Sequence, residues 1–211
     1  MSQVVAPGAL VTSWSATIGG ARQHEKVLTA VGLAVILPAV FFSIGELTSR
    51  RLIPAPAWLV TPIDAALPVV PAAVWLYVSW YVAPAVALSL RVDRFRTVCR
   101  AELVALAVCS VGYLMLPIGL PRPPIAAVDM SSALLRLVYQ LDPPVNVFPS
   151  YHAAVAALLA CMIVPRPRVL RLAWSMWMLA ICVSCVLTKQ HLLFDVVAGV
   201  GVGVAVGRRL Q

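Results

Sequence analysis

The chain has 211 residues, of which 62% are hydrophobic and only 11% charged, and its mean hydropathy is +0.94. This composition excludes a soluble globular domain and matches a polytopic membrane protein. The net charge of +8 does not mark a nucleic-acid binder, because the arginines lie between apolar runs, where membrane topology places them.

One domain is expected. Residues 1–26 read as a cytoplasmic N-terminal tail and 27–211 as a membrane-embedded domain. The tail lacks a basic segment followed by a strong apolar core, so no cleavable signal peptide is expected. Six apolar runs follow, at roughly 27–47, 66–90, 100–119, 149–164, 169–188 and 190–207. Each is near the ~20 residues that span a bilayer. Their length and lack of alternation predict helices and leave no place for strands, giving an all-α bundle of six transmembrane helices. Pro38, Pro68, Pro71 and Pro84 lie inside runs and predict kinks. The longest loop, about 120–148, opens on Leu120-Pro121-Arg122-Pro123-Pro124. It predicts a short interfacial helix from Met130 to Leu141 and closes on Asp142-Pro143-Pro144. We read it as a lid. The five cysteines lie in or beside apolar runs, and Cys182-x-x-Cys185 reads as small packing residues.

Basic residues set the orientation. The tail, the second and fourth loops and the C-terminus hold eleven Lys and Arg, against five in the other loops. The positive-inside rule then puts both termini in the cytoplasm. It also puts His152 and His191 on the same outer face.

Two mouths carry the chemistry. The first is Asn146-Val147-Phe148-Pro149-Ser150-Tyr151-His152. The second is Lys189-Gln190-His191-Leu192-Leu193-Phe194-Asp195. His191 and Asp195 are four apart and share a helix face, so the carboxylate orients the imidazole and raises its nucleophilicity. That face continues through Gly199, Gly203 and Gly207, a small-residue stripe that admits another helix. His152, Ala156 and Ala160 form a matching stripe. Packed together, these faces bring the histidines to one place, with two helix N-termini aimed at it. Ser150 reads as an N-cap or first-turn residue and a donor to phosphate oxygens. Arg122 and Lys189 supply positive charge. Two histidines and an aspartate are also a set that binds zinc, but nearby cations suit phosphate and oppose a divalent metal. A membrane protein that only binds lipid head groups at this basic mouth is the alternative of another class.

Phe-Pro-Ser-Tyr-His and His-x-x-x-Asp resemble the second and third motifs of the type 2 phosphatidic acid phosphatase superfamily. Its pattern is Pro-Ser-Gly-His, then Ser-Arg-x5-His-x3-Asp. The resemblance runs from about Pro62 to the end. It implies a metal-independent enzyme, without cofactor, built on six core helices. It implies His191 as nucleophile, Asp195 as its orienter, His152 as acid for the leaving oxygen, and Ser150 as a phosphate ligand. The family's glycine is Tyr151 here, its third-motif arginine is Cys185 after Ser184, and its first motif is reduced to Arg122-Pro123 with Met115 at the lysine position. Lys189 replaces one missing cation. These departures, with Thr61-Pro62-Ile63-Asp64, resemble the inositol phosphorylceramide synthase-like branch.

The resulting expectation is a lipid phosphatase or phosphotransferase of an inner or plasma membrane, with its site on the extracytoplasmic side. Fewer cations fit a phosphodiester lipid, and Tyr151 is placed to stack on an alcohol acceptor or narrow the water path. The reading therefore leans to head-group transfer. Simple hydrolysis of a lipid phosphate or polyprenyl diphosphate is the alternative.

Overall fold

The computed structural model describes the backbone of residues 7–211 except 127, and the side chains of 23–211 except 84 and 127. The described residues are mostly helical. Helix α1 (Pro7–Ser49) already begins inside the stretch read as a tail. Then come α2 (Pro62–Ala66), α3 (Val74–Ser79), α4 (Ala83–Val86) and the long α5 (Val92–Met115). Helix α6 (Met130–Leu141) precedes α7 (Tyr151–Met162), α8 (Arg168–Leu187) and α9 (Leu193–Arg209). Residues 1–6 of the expected tail lie outside the described residues.

Among the described residues, three segments are long and apolar enough to cross a membrane: Gln23–Ser49, Val92–Met115 and Arg168–Leu187. Each presents large exposed side chains, such as Val35, Val111 and Leu179, on a face suited to lipid. Helix α7 has 12 residues and α9 has 17, giving ~18 Å and ~26 Å of rise. Both are short against a hydrocarbon core of ~30 Å.

The second apolar run does not form one helix. It breaks into α3, α4 and two 3-10 turns, Pro71–Ala73 and Ala87–Ser89. Pro68 and Pro71 lack amide donors and bias the residues before them toward extended backbone, and Leu67 and Val70 are indeed extended. The freed amide of Val70 donates instead to the carbonyl of Leu187 at the end of α8, 2.9 Å away. A second correction concerns strands. Ile53–Pro54 (β1) and Ile118–Gly119 (β2) pair in parallel over two residues, joining the ends of α1 and α5 beside the site.

The expected loop helix is present as α6, Met130–Leu141. Asp129 caps it, accepting from the Ser132 amide at 3.0 Å. Its outer side is pinned by Trp75 Nε1 donating to Ser131 Oγ at 3.0 Å. At its other end Tyr139 Oη donates to the Thr188 carbonyl at 2.6 Å, which ties the loop to the turn before His191.

The core sits between α5, α7, α8 and α9. Its closest seam is α7 against α9. A Cβ added to Gly199 would stand 2.2 Å from the Ser150 carbonyl oxygen, and one added to Gly203 would stand 2.0 Å from that of Ala154. At Gly207 it would meet Cys161 Cβ at 3.2 Å. The glycine stripe of α9 therefore does admit a helix, as its spacing predicts. The face it meets is Ser150, Ala154, Leu158 and Cys161, not His152, Ala156 and Ala160. The register differs because His152 is turned toward the aromatic side chains of α3.

Candidate active site

Helix α7 begins at the second motif. Pro149 follows a cis peptide bond, and Ser150 is the N-cap, its Oγ accepting from the Ala153 amide at 3.3 Å. Ser150 is fully buried, and its own amide donates to the Asp195 carbonyl at 2.9 Å. The two mouths are thus stitched together through backbone before any side chain acts.

His191 lies in the tight turn between α8 and α9, where its amide donates to the Cys185 carbonyl at 3.1 Å. Its Nδ1 is 3.1 Å from Asp195 Oδ2 and 3.1 Å from the Val147 carbonyl oxygen. A carbonyl oxygen only accepts, so the proton resides on Nδ1 and the lone pair on Nε2. Asp195 is fully buried, and its Oδ1 has no partner among the described residues. The arrangement leaves one imidazole nitrogen as a base or nucleophile, with a carboxylate behind it to stabilise positive charge on the ring.

His152 is brought close. The two imidazole centroids are 6.0 Å apart. The His152 ring stacks on Tyr77 at 4.6 Å and leans on Trp80 at 4.7 Å. Its Nε2 is buried without a protein partner. The aromatic walls fix the ring.

The cations are placed differently from one another. Arg122 is largely buried and reaches the turn beside His191, where it bonds the Gln190 side chain. It also donates to the carbonyls of Asp142 and Tyr139, and its guanidinium lies 4.7 Å above the Tyr139 ring. Asp142 Oδ2 is 4.0 Å from it. Burial lowers the pKa of Arg122, against the opposing pull of Asp142. Burial likewise raises that of Asp142, against Arg122. Lys189 takes a left-handed backbone, φ 53°, and its Nζ donates to the Asp64 carbonyl at 2.8 Å. Tyr151 is buried in the wall beside Trp80 and Phe41, with its hydroxyl unpartnered.

Asp64 is the residue whose place sequence reasoning left open. Its Oδ2 accepts from the Thr61 amide and hydroxyl at 2.8 and 2.6 Å, closing a capping box on α2. Its Oδ1 accepts from the Leu193 amide at 2.8 Å. Leu192, the N-cap of α9, makes no side-chain cap, so Asp64 supplies that cap from another helix. Thr-Pro-x-Asp is a capping-box pattern and was the available signal; its second partner was not readable locally. Gln190, Asp142 and Tyr77, whose hydroxyl donates to Asp142 Oδ2 at 3.2 Å, are likewise brought in only by the fold.

The positions of the missing family cations differ, one closed and the other open. Cys185 is fully buried, with Sγ 3.3 Å from the Ile181 carbonyl. Met115 is 75% exposed at the end of α5. Both Cys182 and Cys185 are free thiols packed in α8. Among the described residues no group of three or more His, Cys, Asp or Glu side chains is arranged to hold a metal ion.

The helical fold thus brings a carboxylate-held histidine to face a second histidine that has no partner at Nε2 among the described residues. The model of the PAP2 superfamily matches residues 46–207, and the chain belongs to that superfamily. This supports a membrane phosphoesterase acting on lipid phosphates. Comparison with curated proteins gives no match.

Proposed function

We propose that the chain transfers a phosphoryl or phosphodiester group of a membrane lipid through a phosphohistidine on His191. The observation that supports this best is the double acceptance at Nδ1, by Val147 O and Asp195 Oδ2, which leaves Nε2 as the nucleophile. In the first step Nε2 attacks phosphorus and the bond to the leaving oxygen breaks, while His152 gives that oxygen a proton. In the second step water or an alcohol gives its proton to His152 and attacks phosphorus, and the P–N bond breaks. Arg122, Lys189 and Ser150 hold the phosphate oxygens, and Asp195 stabilises the charged imidazole. Lys189 keeps two N–H donors beyond the one bonded to Asp64, and the lid helix α6 carries Arg122 through its carbonyls.

In this reading residues 27–211 cross the membrane six times, with the second crossing made by the broken 66–90 run. The site faces outward in this reading, which the eleven-to-five basic distribution supports. The scarcity of cations, with Cys185 and Met115 at the family's cationic positions, favours transfer of a phosphodiester head group to an alcohol, as in the inositol phosphorylceramide synthase-like branch. The test is incubation with a 32P-labelled phospholipid, with and without a lipid alcohol such as ceramide. A phosphohistidine gives an acid-labile, alkali-stable labelled protein, and transfer gives a new labelled lipid only when the alcohol is present. Release of inorganic phosphate from phosphatidic acid or a polyprenyl diphosphate, indifferent to alcohol, makes it a phosphatase. Lipid binding with neither labelled protein nor turnover makes it a non-catalytic lipid-binding protein.

A further inference from the structure

Behind His152, between α1, α4, α5 and α7, lies a cavity of about 380 Å³. His152, Tyr151, Trp80 and Phe41 line one end, and Ala30, Leu88 and Phe95 the other. Ala30 and Phe41 are eleven residues apart on α1, so the cavity runs ~17 Å along the bundle. Just beyond its far end the buried Lys26 donates Nζ to the carbonyls of Leu88 and Leu90, at 2.7 and 3.0 Å. The well therefore begins at the site and ends on a polar floor.

One group in its wall is out of place. Glu102, on α5, is 4% exposed and lines this cavity. No hydrogen bond or ion pair within the described residues satisfies its carboxyl. Burying such a group unpaired inside a membrane is costly, and an intramembrane carboxyl usually marks a ligand or ion path. Its depth follows from the helices. Gly112 of α5 packs on Pro149, since a Cβ there would lie 2.5 Å from the proline Cδ. Glu102 is ten residues further along α5, ~15 Å in, while His152 is three residues beyond Pro149, ~5 Å in.

We propose that this well binds one hydrocarbon chain of the lipid substrate, and that Glu102 hydrogen-bonds a hydroxyl or amide carried on that chain. The polar group lies ~10 Å beyond the oxygen that His152 serves. The apolar walls fit a hydrocarbon chain, and a neutral hydroxyl or amide satisfies the carboxyl without bringing a second charge into the membrane. The inference rests on the lipid-phosphate reading above and narrows its substrate to a lipid with a polar group partway along one chain.

The experiment uses the full chain in lipid nanodiscs and an alkyl phosphate with a diazirine at mid-chain. Photolysis and peptide mapping should place the label on Glu102 or on α1 between Ala34 and Pro38, and Ala34→Trp should cut labelling there at least ten-fold. Label confined to the lipid-facing Val104, Val108 and Val111 overturns the well. A mid-chain hydroxylated alkyl phosphate should displace the probe about ten-fold better than its plain counterpart. Glu102→Leu should remove that preference and Glu102→Gln keep it, each read as a ratio within one variant. Equal displacement by both competitors in the wild type overturns the role of Glu102. Labelling in the well without any phosphoenzyme leaves the well standing and removes the catalytic reading instead; phosphoenzyme with label only on the lipid face does the reverse.

Discussion

At His191 the decisive fact is which nitrogen holds the proton, and two acceptors at 3.1 Å decide it. His191→Ala should abolish both covalent labelling and turnover. Asp195→Asn should preserve the fold yet lose most activity, because an amide at this position no longer enforces the Nδ1–H tautomer or offsets the imidazolium. His152→Ala should slow bond cleavage by roughly 10²–10⁴, the usual worth of a general acid. A nitrophenyl phosphate, whose leaving group needs no proton, should partly restore the rate; no restoration would remove His152 from the acid role. Asp64 belongs at this scale too. Its carboxylate holds the first amide of α9, two residues after His191. Hydrogen bonds to charged acceptors contribute about 1.5–3 kcal/mol. Turnover should therefore fall in the order wild type, Asp64→Asn, Asp64→Ala, with thermal stability falling in the same order. Equal activity in all three would show that the α9 cap does not position His191.

At the scale of elements, the α7–α9 seam fixes the distance between the histidines. Gly203→Ala forces a methyl group against the Ala154 carbonyl oxygen and should cost about 1–3 kcal/mol, as overpacking does, with loss of activity. Gly201→Ala is the control: nothing lies within 4 Å of the added Cβ. It should be neutral or stabilise by up to ~1 kcal/mol through helix propensity. Reversible denaturant unfolding in mixed micelles measures both, and equal effects would mean the seam is looser than the backbone distances state. The lid helix α6 has a pH signature. The Ser132 amide and hydroxyl, the former first, hold the Asp129 carboxyl below its ordinary range. A depressed folded-state pKa gives stability that is present above the unfolded value, about 3.9, and is lost as pH falls through the folded value. Protection of the amides over Met130–Leu141, taken relative to their intrinsic exchange rates, should therefore fall on acidification below about pH 4, and Asp129→Asn should flatten that fall.

For the whole molecule, orientation and metal dependence are the open tests. Single cysteines at Asp129 and Arg168, in a cysteine-free background, should label from opposite sides of the membrane. Labelling of both from the cytoplasmic side would overturn the orientation and the six-crossing count. Activity should survive EDTA and be inhibited by vanadate, which mimics pentavalent phosphorus. Loss on chelation, restored by zinc, would favour a metal held by His152, His191 and Asp195.

The sequence alone determined the features written in local spacing. Composition and run length set a helical membrane protein. The i, i+4 spacing put the glycine stripe on the face of α9 that carries Asp195, whereas His191 stands in the turn ahead of α9 and reaches Asp195 from there. The helix Met130–Leu141 follows from its pattern of apolar residues, while its Asp129 cap came with the structure. Long-range geometry decided the rest. The run at 66–90 is apolar enough to span a bilayer, yet its prolines remove amide bonds and the chain breaks against α8. The face of α7 that meets α9 is two residues away in register from the expected stripe of small residues, because only packing tells which side of a helix finds a partner. Asp64 and Glu102 read alike in the sequence, as carboxylates in or beside apolar runs. Tertiary structure separates them, closing one on the amide of Leu193, 129 positions away, and leaving the other without a partner among the described residues, in the wall of an apolar well.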